Sequence, residues 1–310
     1  MGAKVKLNIE WLSDCGGCHV SIVDLHEAIL DVLGAVEIQH CPVLTDIKDY
    51  PHAAVGLVSG AIRNEHDRHM AEQMRKSCDL IIAFGTCAVY GGIPGAGCVH
   101  TRAELLDAVY THNRTTRGAK PPDRLVAPME KLVTPLDEVI PVDLYLAGCP
   151  PHASFTFQAL RSLLDGRQPI ATDRNVCARC DRKMLKTAVR KLRANHDGIP
   201  DADTCLLSQG YVCLGSVTLD RCLAPCPTNG TMCTGCAGPS FQVLTEPNRD
   251  IRTEVADRMS RLTAIPCGQI VAAMEHASKS HYAYAMASPM IGGKSTFLIK
   301  QWIADVEAEA

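Results

Sequence analysis

Cysteine is distributed through this chain in a way that few folds accommodate. Pairs with two residues between them, Cys15/Cys18, Cys177/Cys180 and Cys233/Cys236, stand with lone cysteines at 87 and 149 and a dense run over 177–236, in a chain that has sixteen cysteines. A disulfide framework, structural zinc and iron–sulfur clusters compete to explain such a count. A chain of 310 residues with 46% hydrophobic content has material for a real core, so its stability does not demand cross-links. It opens MGAKVKLNIEWL, without an apolar signal core or twin arginines, and the expectation is a reducing cytoplasm. Zinc knuckles pair CxxC motifs a dozen or two residues apart, whereas 52 residues and four further cysteines separate Cys180 from Cys233. Spacing alone still permits zinc.

The flanks of the cysteines carry the fold. Residues 5–12 (VKLNIEWL) read as a strand and 20–33 (VSIVDLHEAILDVL) as a helix, with Cys15-Gly-Gly-Cys18 in the turn between them. The pattern repeats in VEIQHCPV at 36–43, AAVGLVSGAI at 53–62, a helix over 64–77, and DLIIAFGTCA at 79–88. VDLYLAGCPP at 142–151 then leads into the helical SFTFQALRSLLDG. Short apolar runs alternating with helices predict a parallel sheet. Ligands in such sheets gather beyond the carboxyl ends of the strands, so Cys15, Cys18, Cys87 and Cys149 are expected to meet there.

Pro121, Pro122, Pro128 and Pro135 mark 100–140 as a peripheral insertion or interface element. From about 170 the long apolar runs stop and eight cysteines fall within 177–236. The expected organisation is a domain over 1–170, a cysteine-rich, mostly irregular and helical domain over 171–245, and a helical extension over 246–310 with helices at 251–263 and 267–287. Residues 80–99 carry no charge, but their six glycines and prolines predict a buried strand and a glycine-rich loop rather than a membrane span. A net charge of −3, with the only short basic run at Arg182 to Arg193, offers no broad field for nucleic acid. The expected partner is protein.

The ordered motifs WLSDCGGC, FGTCAVYGG and AGCPP, followed by NVCARC…DTCLLSQGYVCLGSVTLDRCLAPCPTNGTMCTGCAGP, resemble the small subunit of [NiFe] hydrogenases. The match spans residues 8 to about 240 and is most similar to the cytoplasmic branch of the methyl-viologen-reducing, non-deazaflavin-reducing enzymes of methanogens. The resemblance implies a flavodoxin-like first domain and three [4Fe–4S] clusters. Cys15, Cys18, Cys87 and Cys149 match the proximal ligands; Cys222, Cys226, Cys233 and Cys236 the medial; Cys177, Cys180, Cys205 and Cys213 the distal. Many relatives begin the distal set with histidine and give the medial set three cysteines; here Cys177 and Cys226 complete two all-thiolate sites. The implied role is electron relay, with no catalytic residue of its own, between the Ni–Fe site of an obligate large subunit and an acceptor. That acceptor is a heterodisulfide reductase type of component, or a flavin or NAD(P)-linked one. A deazaflavin-reducing hydrogenase or a sulfhydrogenase shares the ligand plan, and a zinc-stabilised scaffold without redox chemistry is the rival of a different class.

Twelve ligands leave Cys41, Cys78, Cys98 and Cys267, expected as ordinary buried thiols. Gly16, Gly17, Gly85, Gly91 and Gly92 accompany the proximal ligands, for close approach to a cluster or for plain tight turns. Asp14 falls where many small subunits carry a glutamate implicated in proton passage; a helix-start cap is the other reading. SPMIGGKST at 288–296 has Ser288 where a phosphate loop needs glycine, and reads as a turn. His66 and His69 lie on a charged, solvated helix face.

Overall fold

The computed structural model describes residues 4–289, apart from 117, 168, 170–171, 247–249 and 277–283. Its strands are β1 (Val5–Trp11), β2 (Val36–His40), β3 (Ala53–Ser59), β4 (Ile62–Asn64), β5 (Cys78–Phe84), β6 (Met129–Thr134) and β7 (Leu144–Leu146). Five of them form one sheet in the order β2-β1-β3-β5-β7, every pairing parallel. This is the flavodoxin-like order, with its reversal between β1 and β3.

Alternation along the strands decides what each face buries. In β5, Ile81 and Ala83 point to one side and Ile82 and Phe84 to the other; in β3, Val58 and Leu57 divide likewise. The Leu57 side packs under α1 (Gly17–Val23), α2 (Ile29–Ala35) and, from later in the chain, Leu160 and its neighbours. The Val58 side receives Ala71 and Met74 of α3 (Glu65–Ser77), whose entry is fixed by a reciprocal Asn64–Asp67 capping box.

Beyond β5 come α4 (Thr86–Tyr90), α5 (Arg102–Leu106) and α6 (Ala153–Leu164), and beyond them α7 (Pro225–Thr228), α8 (Phe241–Thr245), α9 (Ile251–Leu262) and α10 (Cys267–His276). Residues 172–245 are held by short 3-10 turns, isolated bridges such as Asn175 with Leu219, and loop hydrogen bonds. The apolar cluster on the Val58 side continues through Leu206, Tyr211 and Leu214 to Val255, Met259 and Ile270. One core therefore joins the sheet, the cysteine-rich segment and the helices after it.

Three expectations change. The helix over 20–33 is two helices, because His26 stands at a φ of +52° between them. The insertion over 100–140 contributes β6, which pairs antiparallel with β4 and buries Val133 against Ala61 and Cys98. Cys41, Cys78 and Cys98 are buried, but Cys267 is exposed at the start of α10, in a first turn where Gly268 and Gln269 are exposed as well. The helix expected at 251–263 is observed as α9; of the one expected at 267–287, residues 267–276 form α10, 277–283 lie outside the described residues, and 284–287 form a turn. So do 290–310, and with them most of SPMIGGKST; His66 and His69 are exposed as expected.

Candidate functional site

Strands β1, β5 and β7 each deliver candidate ligand cysteines at the carboxyl end, and β3 between them delivers none. Cys15 and Cys18 follow β1 through the start of α1, Cys87 lies in α4 after β5, and Cys149 follows β7. The four thiols lie near one another: burial pushes Cys18 up, and the charges of Asp14, Cys87, Cys149 and Cys15 push it further. Burial, Cys149, Asp14 and Cys15 push Cys87 up to about 12, although the Ile93 N–H works against them. Cys149 is raised by burial, Cys15 and Asp14.

A second set forms in the irregular segment. Burial and then Cys213 push Cys177 up to about 12, with Cys205 and Cys180 adding to it and Arg258 of α9 opposing. Burial pushes Cys213 up to about 11 against the N–H groups of Cys233 and Gly215, with Cys205 and Cys180 again beside it. The third set contains Cys236, pushed up to about 12 by burial, Cys222, Cys149 and Cys226. Cys222 is raised by burial and by Asp220 and Cys226, against the Ala224 N–H. Cys233 is raised well above its ordinary value by burial, then Cys213, with Cys236 contributing less. The sets also touch: Cys236 feels Cys149 of the first, and the Cys233 N–H donates to Cys213 Sγ of the second at 3.3 Å.

Backbone close to sulfur explains two glycines. A Cβ on Gly85, at φ +88°, would stand 2.2 Å from Cys18 Sγ. One on Gly215 would meet Cys177 Sγ at 3.3 Å and Cys213 Sγ at 3.7 Å. Both leave room beside sulfur that a side chain would fill. Among the described residues no three His, Cys, Asp or Glu side chains stand close enough to hold a single metal ion. A tetrahedral zinc draws its thiolates to about 2.3 Å from one centre.

Asp14 closes a turn before the helix rather than capping it: its Oδ1 accepts from the Gly16 N–H at 2.6 Å, α1 starts without a side-chain cap, and Oδ2 is buried with no partner. Three residues escape a reading of the sequence. Thr86 donates its hydroxyl to the Cys236 carbonyl at 2.7 Å, accepts from the Gly148 N–H at 2.9 Å, and gives its own N–H to the Gly148 carbonyl at 2.8 Å. It thus ties the neighbours of Cys87 and Cys149 to Cys236. His19, against the Trp11 ring, has both ring nitrogens buried without a partner, and burial lowers its pKa against the pull of Asp14 and Glu10. Arg258 has an equally unpartnered buried Nε. Only the histidine beside Cys18 has a signal in sequence, since the other two act across long separations.

The family model described as "NADH ubiquinone oxidoreductase, 20 Kd subunit" matches residues 15–163. A crystal structure of an NAD+-reducing [NiFe]-hydrogenase in the H2-reduced state aligns at 30% identity with a TM-score of 0.53, over 55% of this chain and 96% of the other. The sheet order and cysteine placement thus define the class of the hydrogenase small subunits. Within it, a subunit of the vhu F420-non-reducing hydrogenase of Methanocaldococcus jannaschii is 40% identical over 77% of this chain and 84% of its own length. The iron–sulfur subunit of the F420-non-reducing hydrogenase of Archaeoglobus profundus is 32% identical over 94% and 98%. The chain belongs to this family, the small subunits of F420-non-reducing hydrogenases. No helix among the described residues is long and apolar enough to cross a membrane.

Proposed function

We propose that this chain is the electron-relay subunit of a cytoplasmic [NiFe] hydrogenase and holds three [4Fe–4S] clusters. Cys15, Cys18, Cys87 and Cys149 hold the proximal one, Cys222, Cys226, Cys233 and Cys236 the medial, and Cys177, Cys180, Cys205 and Cys213 the distal. The observation that carries this reading is the adjacency of the sets, Cys149 beside Cys236 and Cys233 beside Cys213. It gives one linear order from the sheet edge to the far side of the irregular segment. Bound clusters supply reversible one-electron chemistry at each station.

The chain's own residues insulate, orient and tune. Buried thiols disfavour ionisation, so iron binding releases protons as it forms thiolates. The N–H groups of Ile93, Ala224, Gly215, Gly235 and Cys233 then face sulfur, where a donor stabilises the more negative state. Arg258 adds a positive charge beside Cys177. Cys15 is exposed, with Trp11, Val20 and Val23 around it, and this apolar rim is the surface a large subunit would cover. The buried, unpartnered Asp14 Oδ2 near that rim is a place for a proton to pass between subunits. The acceptor is a heterodisulfide reductase type of component or a flavin or NAD(P)-linked one.

The test is the anaerobically purified complex with its native companions. About twelve irons per copy of this chain and three sets of reducible cluster signals are expected. Zinc in place of iron, or far fewer irons, overturns the proposal.

A further inference from the structure

The basic run in the sequence becomes, in the structure, a strap over the distal set. Seven of the chain's 31 lysines and arginines fall within residues 179–193, beside a single acid, Asp181, although the whole chain is net negative. The strap begins at Cys180 and is pinned along its length. The Lys183 N–H donates to the Asp203 carbonyl, and the Lys183 carbonyl accepts from the Cys205 N–H at 2.8 Å. The Thr187 N–H donates to the Leu262 carbonyl, and the Val189 carbonyl accepts from Ala264. Arg182 Nε donates to the Pro227 carbonyl at 2.7 Å, and Arg193 covers the Tyr211 ring.

Pinned backbone leaves the remaining side chains outward. Lys183, Lys186, Arg190 and Lys191 are exposed, and among the described residues their side chains form no hydrogen bond or ion pair. The nearby acids form no ion pair with these four cations: Asp201 Oδ1 accepts from the Asp203 and Thr204 N–H groups, and Asp197 Oδ2 from the Ala194 N–H. Between the cations stand Met184 at 56% exposure and Leu185 at 49%, with Ile199 at 97% further along the segment. Exposed methionine and leucine flanked by Lys183 and Lys186 are what a protein interface uses; a phosphate backbone would leave them unused.

The geometry points to residues 183–199 as the docking surface for an acidic protein electron carrier, one whose negatively charged face surrounds its redox centre. The inference rests on the relay reading, and adds where and by what chemistry the electron leaves or enters. At each encounter one electron passes between the chain and the carrier, one being oxidised and the other reduced by one, with no proton or bond exchanged. The cations steer the encounter, and Met184 and Leu185 exclude water at the contact beside Cys180 and Cys205.

The test uses the intact complex carrying K186E, R190E and K191E together, with an acidic ferredoxin and a basic cytochrome c as alternative probes and a small neutral dye as control. At low salt the second-order rate of hydrogen-driven ferredoxin reduction should fall about tenfold or more, and its dependence on ionic strength should flatten. The cytochrome rate should not fall, and dye reduction, iron content and cluster signals should stay as in the parent. An unchanged ferredoxin rate in a complex with intact clusters and dye activity overturns the docking surface. Absence of reducible clusters in the parent overturns the relay reading instead. Salt-resistant binding of an oligonucleotide, lost in the triple variant, assigns the strap to nucleic acid and also overturns the proposal.

Discussion

The sheet half and the cysteine-rich half of this molecule are stabilised by different physics. Residues 5–164 bury an apolar stripe on each face of a parallel sheet, and Ile81, Met74, Leu57 and Phe84 are almost wholly removed from water. Residues 172–245 have only 3-10 turns, isolated bridges and two short helices, α7 and α8, among their described elements. Their buried groups include, beside apolar side chains such as Tyr211 and Leu206, thiols that burial itself pushes away from the ionised state. A sheet of this kind is specified by hydrophobic area, at about 25 cal/mol per Å2. On the proposed function, a segment that also packs neutral thiols against thiols gains further when an inorganic partner binds them. Shared core residues such as Leu206 and Val58 hold the two halves together, without making them equal.

Five perturbations sharpen that contrast. Anaerobic iron chelation should have the largest effect: amide hydrogen exchange should rise across 172–245 while strands β1, β3 and β5 stay protected. Uniform loss across both halves would show that the sheet, too, depends on iron. Next, Gly85→Ala adds a Cβ 2.2 Å from Cys18 Sγ and about 1–3 kcal/mol of backbone strain at φ +88°. It should cost the sheet half its own irons, about four per chain by iron assay, and leave the other sites loaded. Met74→Ala, at a fully buried position, should cost about 2–5 kcal/mol in denaturant unfolding while iron content in folded protein is unchanged.

Thr86→Val tests the seam. It leaves the Gly148 N–H and the Cys236 carbonyl unpaired at a penalty of about 1–3 kcal/mol, and Thr86→Ser should restore both bonds. Magnetic coupling between the two neighbouring clusters, read by electron paramagnetic resonance, should weaken in the valine variant only. The smallest effect belongs to Asp143. Burial opposes its ionisation, but the Ile81 N–H and the Arg75 guanidinium outweigh that and hold its carboxyl below the ordinary range. Its contribution is therefore full above the usual carboxylate pKa and lost as pH falls through the lowered value. Asp143→Asn should flatten the acid limb of the stability curve slightly, and an unchanged limb would show that the pair contributes nothing.

Legibility in sequence follows the same division. Period-two and period-3.6 patterns mark β1, β3, β5 and α3 because each buries one defined face, and strand ends place Cys15, Cys18, Cys87 and Cys149 at one edge. The short β7 and the helix broken at His26 differ in extent from the pattern, since neither a three-residue strand nor a single residue at positive φ changes the hydrophobic periodicity. The pairing of β4 with β6 is hidden for another reason: more than sixty residues separate Asn64 from Met129. In the cysteine-rich half no periodicity exists to be read, and the grouping of thiols comes from resemblance. Thr86 and the pinned strap are invisible because their bonds join distant segments, and Arg258 because its charge acts on Cys177 across a long separation.

On the proposed partition, the amide at Cys233 faces one station, through Cys213 Sγ, while its thiol belongs to another. A peptide with two employers cannot shift for one alone: whatever rotates that plane when iron enters or leaves the Cys213 set also moves a ligand of its neighbour. On the proposed ligand partition, loading of the Cys213 site and of the Cys233 site is therefore coupled through one peptide plane.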